Sequence, residues 1–481
     1  MPSDRIAFAR RLLPRLLAAA ALPLCGVAGA DDLRGALEQA YRTNPTLQAA
    51  RASQRALDET VGIRRADGLP RISASATHTE FLHDSDSSPT SPDRLLTGQL
   101  ALTVPVYSGG AVRHSLGAAR WRIDAGRADL RGTEASVFSQ VVAAYMDVVL
   151  SEAVLGLRVN LVKVLETDLT ATRDRFEIGD VTRTDVAQSQ ARLEIARGDV
   201  RSGEASLVSA RERYIQLVGV EPQALQAPPP LPSLPETAEG ALEVALDSNP
   251  DLIAARALSQ AADRDIAVAG AGRLPRLELF ANGSRSDYLG SLGGTAHAQF
   301  DQTSTSASAG VRATIPLFQG GLPAALRRQA QARAAASLEQ EIAVERDVIA
   351  QVRAAYSSWR TADDIIASSQ VAVAAAELSL EGVRAENSVG NRTILDILNA
   401  EQELLQARGR LVTARRNAYV AGFTLLAAMG RAEARDLGLD EGPLYDPQAN
   451  FRRVSGKFLD WDDDPAPTAV STRTVDTKTG P

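Results

Sequence analysis

Apolar and polar residues alternate in four segments of the chain, two in each half. The clearest run places apolar side chains at every second position from Leu100 to Val106, with Gln99 and Thr103 among the residues of the opposite face. A period of two is typical of strands, and runs of about ten residues are typical of strands in outer-membrane barrels. The pattern predicts strands at about 71–81, 97–107, 276–284 and 307–318.

A second pattern, with apolar residues seven positions apart, follows each pair of strands. It begins at Leu116, Ile123 and Leu130. A sustained heptad indicates long helices that pack as coiled coils. The pattern predicts helices at about 111–178, 180–218, 322–388 and 391–429. The first would be about 100 Å long, which indicates an elongated body.

Short motifs recur between the two halves at constant offsets. Asn44-Pro45 returns as Asn249-Pro250, and the segment 104–110 returns at 315–321. The chain is therefore interpreted as a tandem duplication. Its parts are a first repeat at 31–226, a proline-rich linker at 227–235, a second repeat at 236–431 and a partly disordered C-terminal tail at 432–481.

Residues 1–30 have the features of a cleaved signal peptide, with a basic start, a short apolar run and Ala28-Gly29-Ala30 before the cleavage point. The one cysteine, Cys25, lies in this segment, and the chain has only four histidines. Zinc fingers, disulfide frameworks and thiol chemistry are therefore excluded. A net charge of −7 argues against nucleic acid as a partner. No phosphate-binding loop or catalytic spacing occurs, so we expect no enzyme, no metal and no cofactor.

Four strands are too few to close a barrel, because the smallest barrels have about eight. Open strand edges in lipid leave backbone groups unpaired at high cost, so several chains must share one barrel. Two chains would give eight strands around a filled interior, and three would give twelve strands around a lumen.

The strand ends and the turns between the long helices carry a family resemblance. Each repeat contains Pro-x-[Tyr/Phe]-x-Gly-Gly at its strand-to-helix exit, and the helix turns lie at 176–186 and 389–400. With these motifs and the duplication, the chain resembles the TolC family of outer-membrane export ducts. The exit residues are Pro105, Gly109, Gly110, Pro316, Gly320 and Gly321.

The resemblance implies a mixed α/β membrane protein in the outer membrane of a Gram-negative bacterium. It implies a homotrimer whose twelve-stranded barrel contacts outer-membrane lipid and continues into an α-helical periplasmic tunnel. It also implies docking to a periplasmic adaptor (membrane fusion) protein and to an inner-membrane transporter, either ABC-type or proton-driven.

The sequence leaves two kinds of cargo possible. Leu444-Tyr445-Asp446-Pro447 resembles the branch of the family that serves type I protein secretion, and multidrug efflux is the alternative. A non-conducting coiled-coil scaffold is an alternative of a different class, but it leaves the four alternating strands unexplained.

The resemblance also places a periplasmic gate at the helix turns. Arg392 would bind Thr184 and Asp185 of the first-repeat turn, since a guanidinium fork can hold a carboxylate and a hydroxyl together. Ordinary turn and surface charge is the alternative interpretation. The tyrosine that supports this lock in the family is Asn387 here, so one link is expected to be missing or altered.

Asp396 lies one helical turn beyond Arg392 and would give a trimer a ring of three carboxylates that favours cations. The family's second acidic position is Asn399 here, so weaker selectivity is expected; a solvated aspartate on a helix face is the alternative. The tip turns are also expected to dock the adaptor, although core packing is an alternative for their apolar members. The docking candidates are Gly179, Val181, Thr182, Gly390, Ile394 and Leu395.

Overall fold

The structure is a computed structural model that describes residues 32–82, 91–232, 234–439 and 444–475. The predicted signal peptide at 1–30 lies outside the described residues. The first repeat contains α1 (Leu33–Thr43), α2 (Pro45–Ala66), β1 (Arg71–Glu80), β2 (Arg94–Tyr107), α3 (Ala111–Glu177) and α4 (Arg183–Val218). The second contains α5 (Ala238–Ser248), α6 (Pro250–Gly270), β3 (Arg276–Asp287), β4 (Thr303–Thr314), α7 (Leu322–Ser388) and α8 (Ile394–Ala428), and α9 (Pro447–Val454) lies in the tail.

The junction between the first two helices is built in the same way in both repeats. Asn44 Oδ1 accepts hydrogen bonds from the backbone N–H groups of Thr46 and Leu47, at 3.0 and 3.3 Å, and so caps α2. Asn44 Nδ2 donates to the Leu217 carbonyl at 2.9 Å. Asn249 makes the corresponding bonds in the second repeat. Each asparagine therefore begins one helix and ties it to the end of the last long helix of its repeat.

The four strands form one antiparallel sheet in the order β1-β2-β3-β4. The central pair, β2 and β3, joins the two repeats, with Leu100 opposite Gly283. The register shifts between Pro105 and Tyr107, because a proline has no N–H to donate to the ladder. Within the described ranges, β1 and β4 are the edges of the sheet.

Three strands differ from their predicted bounds. β2 begins at Arg94 instead of 97, because the adjacent pair Leu95-Leu96 hides the alternation. β3 continues past 284 to Asp287 through polar residues, which give no apolar signal. β4 spans Thr303–Thr314 instead of 307–318, and it stops short of Pro316, which has no N–H for pairing.

The largest apolar core lies around the middle of α3, where helices of both repeats meet. Phe138 and Tyr145 of α3, Tyr214 of α4 and Phe423 of α8 are almost completely buried there. Towards the turns between the long helices, the core narrows to small clusters around Leu165 and around Leu404. Among the helices of the described ranges, none combines the length and the apolar content that a membrane crossing needs.

Candidate functional site at the helix turns

The turn between α3 and α4 and the turn between α7 and α8 have the same backbone geometry. Gly179 and Gly390 adopt φ values of 81° and 82°, a left-handed conformation that glycine reaches without strain. The next N–H in each turn bonds back to the helix, from Asp180 to Arg175 O and from Asn391 to Glu386 O, both at 2.9 Å. Each glycine thus ends a helix of 67 residues and reverses the chain.

Thr182 and Thr393 cap the helices that follow these turns. Asp185 Oδ2 accepts hydrogen bonds from Thr182 N at 2.8 Å and Thr182 Oγ1 at 2.7 Å. Asp396 Oδ2 accepts the equivalent bonds from Thr393, at 2.9 and 2.8 Å. Because of these caps, α4 and α8 begin at Arg183 and Ile394, later than the predicted 180 and 391.

The same bonds stabilise the charged form of the two aspartates. The threonine side chains, followed by the threonine backbone N–H groups, lower the pKa of Asp185 and Asp396, because donors stabilise the carboxylate form. Both predicted site aspartates therefore carry a negative charge at neutral pH, and both complete the capping boxes of Thr182 and Thr393.

Arg392 pairs within its own turn. Its Nε donates to Glu386 Oε2 at 2.7 Å, and among the described residues no hydrogen bond joins it to Thr184 or Asp185 in the same chain. The first-repeat turn holds a similar pair, Arg175 Nε to Asp180 Oδ2 at 2.6 Å. The predicted gate contact is therefore not formed within one chain, and a contact between subunits stays a prediction.

Asn387 shapes its own turn and contacts the other. Its Nδ2 donates to the Arg392 carbonyl within the second-repeat turn at 2.7 Å, and its Oδ1 accepts from Arg175 Nη1 of the first repeat at the longer distance of 3.4 Å. The position that departs from the family pattern therefore carries an altered link between the repeats. The sequence analysis does not predict Arg175 or Glu386 as site residues. They occupy equivalent positions of the two repeats with opposite charge, which an alignment of the two repeats reveals.

Further into the helices, Arg192 Nη2 of α4 donates to Asn399 Oδ1 of α8 at 3.0 Å. Equivalent ion pairs brace each repeat, Arg197 with Glu166 at 2.9 Å and Arg408 with Glu377 at 2.7 Å. Arg384 pairs with Glu401, whose pKa burial raises. Polar contacts between and within the repeats therefore surround the first turns of α8, where the predicted lumen residue Asp396 lies.

The predicted docking residues divide into packed and exposed groups. Ile394 packs against the Leu161 and Leu165 cluster of α3, in agreement with the core alternative, whereas Leu395 is exposed. The most exposed apolar side chains of the tips are Ile178, at 81%, and Val389, at 69%. These two occupy equivalent positions of the repeats, directly before Gly179 and Gly390, and lie outside the heptad spacing, so the sequence pattern does not single them out.

The strand-to-helix exits lie at the opposite end of α3 and α7. Gly110 and Gly321 immediately precede these helices with φ values of 83° and 81°. A Cβ at Gly109 would lie 2.8 Å from the carbonyl oxygen of Ala271, so only glycine allows the first-repeat exit to approach the second-repeat backbone this closely. The sheet and the helical body are thereby joined at a tightly packed point.

The chain matches known proteins along most of its length. The family model described as "Outer membrane efflux protein" matches residues 36–220 and 241–431. The chain is 31% identical to the outer membrane efflux protein BepC of Brucella suis, over 92% of this chain and 96% of BepC. It is 26% identical to the outer membrane protein TolC of Escherichia coli, over 89% and 88%.

Two further matches concern cargo and fold. The alkaline protease secretion protein AprF of Pseudomonas aeruginosa is 27% identical, over 93% of this chain and 92% of AprF. The CmeC outer membrane channel of Campylobacter jejuni superposes with a TM-score of 0.72 at 16% identity, over 88% of this chain and 89% of CmeC. The fold match confirms the predicted fold class, with four strands per chain joined to long paired helices.

Proposed function

The chain belongs to the outer membrane efflux protein family, as its resemblance to the TolC family predicted, and from this we propose that three copies form one passive channel-tunnel for export. The protein lies in the outer membrane of a Gram-negative bacterium, with a large helical part in the periplasm. One observation carries the proposal: a four-stranded sheet with two open edges continues into helices of 67 residues, or about 100 Å.

The open edges account for the assembly. The strand order makes β1 and β4 run antiparallel, so β4 of one subunit can pair with β1 of the next. Three sheets joined in this way give a closed barrel of twelve strands, wide enough for a lumen. Closure also removes the unpaired edges that lipid would not tolerate.

The helix turns form the proposed periplasmic gate. Arg392 uses Nε for Glu386, and a guanidinium has five N–H donors, so its other donors can reach Thr184 and Asp185 of a neighbouring subunit. The bond from Asn387 to the Arg392 carbonyl holds the turn that presents Arg392 while these contacts form. Exposed polar contacts are individually weak, about 0–1 kcal/mol, so three copies can close the mouth and still release it when a partner binds.

Asp396 supplies the proposed selectivity ring. Its charge is secured by Thr393, which lowers the pKa of the carboxyl, and three copies would attract cations at the mouth. Asn399 adds no charge and is held by Arg192. A single ring of carboxylates is therefore proposed, with moderate preference for cations.

The adaptor is proposed to dock on the exposed tips. Gly179 and Gly390 shape the turns, and Ile178, Val389 and Leu395 present apolar side chains to solvent. Val181 and Thr182 lie beside them. A helical hairpin of an adaptor can bury such a surface, which has no role in the fold of a single chain.

We propose a secreted polypeptide as the cargo and an ABC-type transporter as the inner-membrane partner. AprF, named for protease secretion, matches over 93% of this chain. Efflux of small compounds is the second candidate, because BepC, named as an efflux protein, is 31% identical. Cross-linking in intact cells and identification of the transporter that co-purifies separates the two: an ATP-driven exporter supports secretion, and a proton-driven pump supports efflux.

The assembly is tested with engineered cysteines. The one native cysteine, Cys25, lies in the predicted signal peptide, so the mature chain offers a clean background. Ala76→Cys on β1 is combined in turn with single cysteines along β4. At least one combination is expected to give disulfide-linked dimers and trimers, whereas Ala76→Cys alone gives none. Monomers throughout the scan would contradict the shared barrel.

A further inference from the structure

The C-terminal tail approaches the sheet along α2. Asn450 Nδ2 donates to Asp58 Oδ2 at 3.0 Å, and Arg65 Nη1 donates to the Ser455 carbonyl at 2.7 Å. From these two contacts, α9 and Ser455, the residue that follows it, run parallel to α2. Because α2 ends at Ala66 and β1 begins at Arg71, the chain leaves α9 next to the junction of helical body and sheet.

The tail then forms a braced loop, residues 456–464, which we call the tail loop. Arg453 holds Asp464 with two hydrogen bonds of 2.7 Å each, and Lys457 Nζ pairs with Asp462 Oδ1 at 3.0 Å. Beyond the loop the chain runs back along the body, because Thr472 lies beside Gly219 at the end of α4. The tail loop is therefore a turning point close to the sheet, fixed at its base by ion pairs.

The tip of the tail loop is apolar and exposed. Phe458 and Leu459 are 71% and 68% exposed, and Trp461 is 93% exposed. Burying three such side chains is favourable, and tryptophan prefers the boundary between lipid and water.

We propose that the tail loop inserts Phe458, Leu459 and Trp461 into the periplasm-facing leaflet of the outer membrane. The partner is a lipid surface. The loop follows Ser455, which lies beside Arg65 near the end of α2, and the chain passes from α2 into β1 at Arg71. Its tryptophan and the neighbouring apolar side chains suit the boundary between lipid and water. The insertion anchors the tail, and through α9 the helix α2, to the bilayer that holds the barrel.

The charges of the tail loop favour zwitterionic over anionic headgroups. Asp462 and Asp464 are paired with Lys457 and Arg453, and Asp460 and Asp463 form no ion pair within the described ranges. These two carboxylates can bind the ammonium groups of phosphatidylethanolamine. A purely anionic surface would repel them.

The test uses tryptophan fluorescence. The chain has three tryptophans, so Trp121→Phe with Trp359→Phe leaves Trp461 alone. The protein is reconstituted in vesicles of phosphatidylethanolamine and phosphatidylglycerol, with acyl chains either plain or brominated. The expected result is blue-shifted emission in plain vesicles and loss of most of that emission in brominated ones.

Two controls use the same chain. A variant that keeps only Trp359, which packs against Tyr356 in the helical body, is expected to keep its emission in brominated lipid. The second control carries Val470→Trp as its only tryptophan. Val470 lies in the tail beyond the turning point and is as exposed as Leu459, so its tryptophan is expected to emit as in water.

Two outcomes would overturn the proposal. Red-shifted emission from Trp461 that bromine does not quench would show a loop in water. Blue-shifted emission that bromine does not quench would show a loop covered by protein, such as a neighbouring subunit. Lipid contact requires both the shift and the quenching.

Discussion

Replacing Asn387 by alanine tests the hydrogen bond that shapes the turn bearing Arg392 at the proposed mouth. The amide makes one good hydrogen bond within its own turn, 2.7 Å to the Arg392 carbonyl, and one long contact to the other turn, 3.4 Å from Arg175. A neutral hydrogen bond contributes about 1 kcal/mol net, and the long contact adds little. The substitution therefore weakens the turn that presents Arg392, and with it the proposed closure, by about 1 kcal/mol in each subunit.

In the proposed trimer, three subunits open one mouth together. If the loss of this bond in all three turns acts on one opening step, the closed state loses about 3 kcal/mol, and the equilibrium shifts towards opening by roughly a hundredfold, since 1.4 kcal/mol corresponds to a factor of about ten. Such a shift is large enough to raise the open fraction measurably.

Single-channel recording in a planar bilayer measures this change directly. Asn387→Ala is expected to raise the open fraction or the mean conductance strongly. Asn391→Ala is the matched control: it removes an amide from the same turn, where among the described residues only the backbone N–H of Asn391 is bonded, to Glu386 O. Equal currents from both variants and the unchanged protein would refute the role of Asn387.

Three further predictions concern charge, pH and folding. Asp396→Asn should shift the reversal potential in a salt gradient towards lower cation preference; an unchanged reversal potential would reject the ring. Burial raises the pKa of Glu134 from 4.5 to about 7. The folded state therefore holds the carboxyl proton more tightly than the unfolded state, and the free energy of unfolding falls as pH rises from about 4.5 to about 7. Over that range the Glu134→Gln variant should lose less unfolding free energy than the unchanged protein, by on the order of 3 kcal/mol. Its amide oxygen still accepts from the Ala434 N–H. Parallel pH profiles of the two proteins would contradict this. Asn44→Ala should lower the unfolding free energy by about 2 kcal/mol, from the lost cap and the unpaired Leu217 carbonyl; in denaturant unfolding, a loss no larger than that of the exposed Asn160→Ala would count against it.

The sequence predicts the fold class well because the periodic signals are long. The heptad from Leu116 onwards extends over many turns, and the recurrence of Asn44-Pro45 as Asn249-Pro250 reveals the duplication. Strand ends are less predictable, since β3 finishes in polar residues and Pro316 stops β4 early. Such details depend on hydrogen bonding between strands, which alternation alone does not specify.

The candidate site is predictable only in part. Thr182 and Asp185 form a capping pattern that the local sequence contains, whereas the family resemblance assigns Asp185 to the gate and Thr182 to adaptor docking. The link through Asn387 joins Arg175 and Arg392 of different repeats, and its existence depends on how the helix pairs pack. The packed position of Ile394 follows from the same packing, which heptad spacing does not distinguish from an exposed tip.

The most direct measurement for the proposed export duct is the current that the purified protein passes in a planar bilayer. A shared barrel continued by a helical tunnel predicts stepwise single-channel currents with a preference for cations, and larger steps for Asn387→Ala. Protein that inserts into the bilayer as a trimer but passes no current, in either form, would contradict a conducting duct and favour the coiled-coil scaffold.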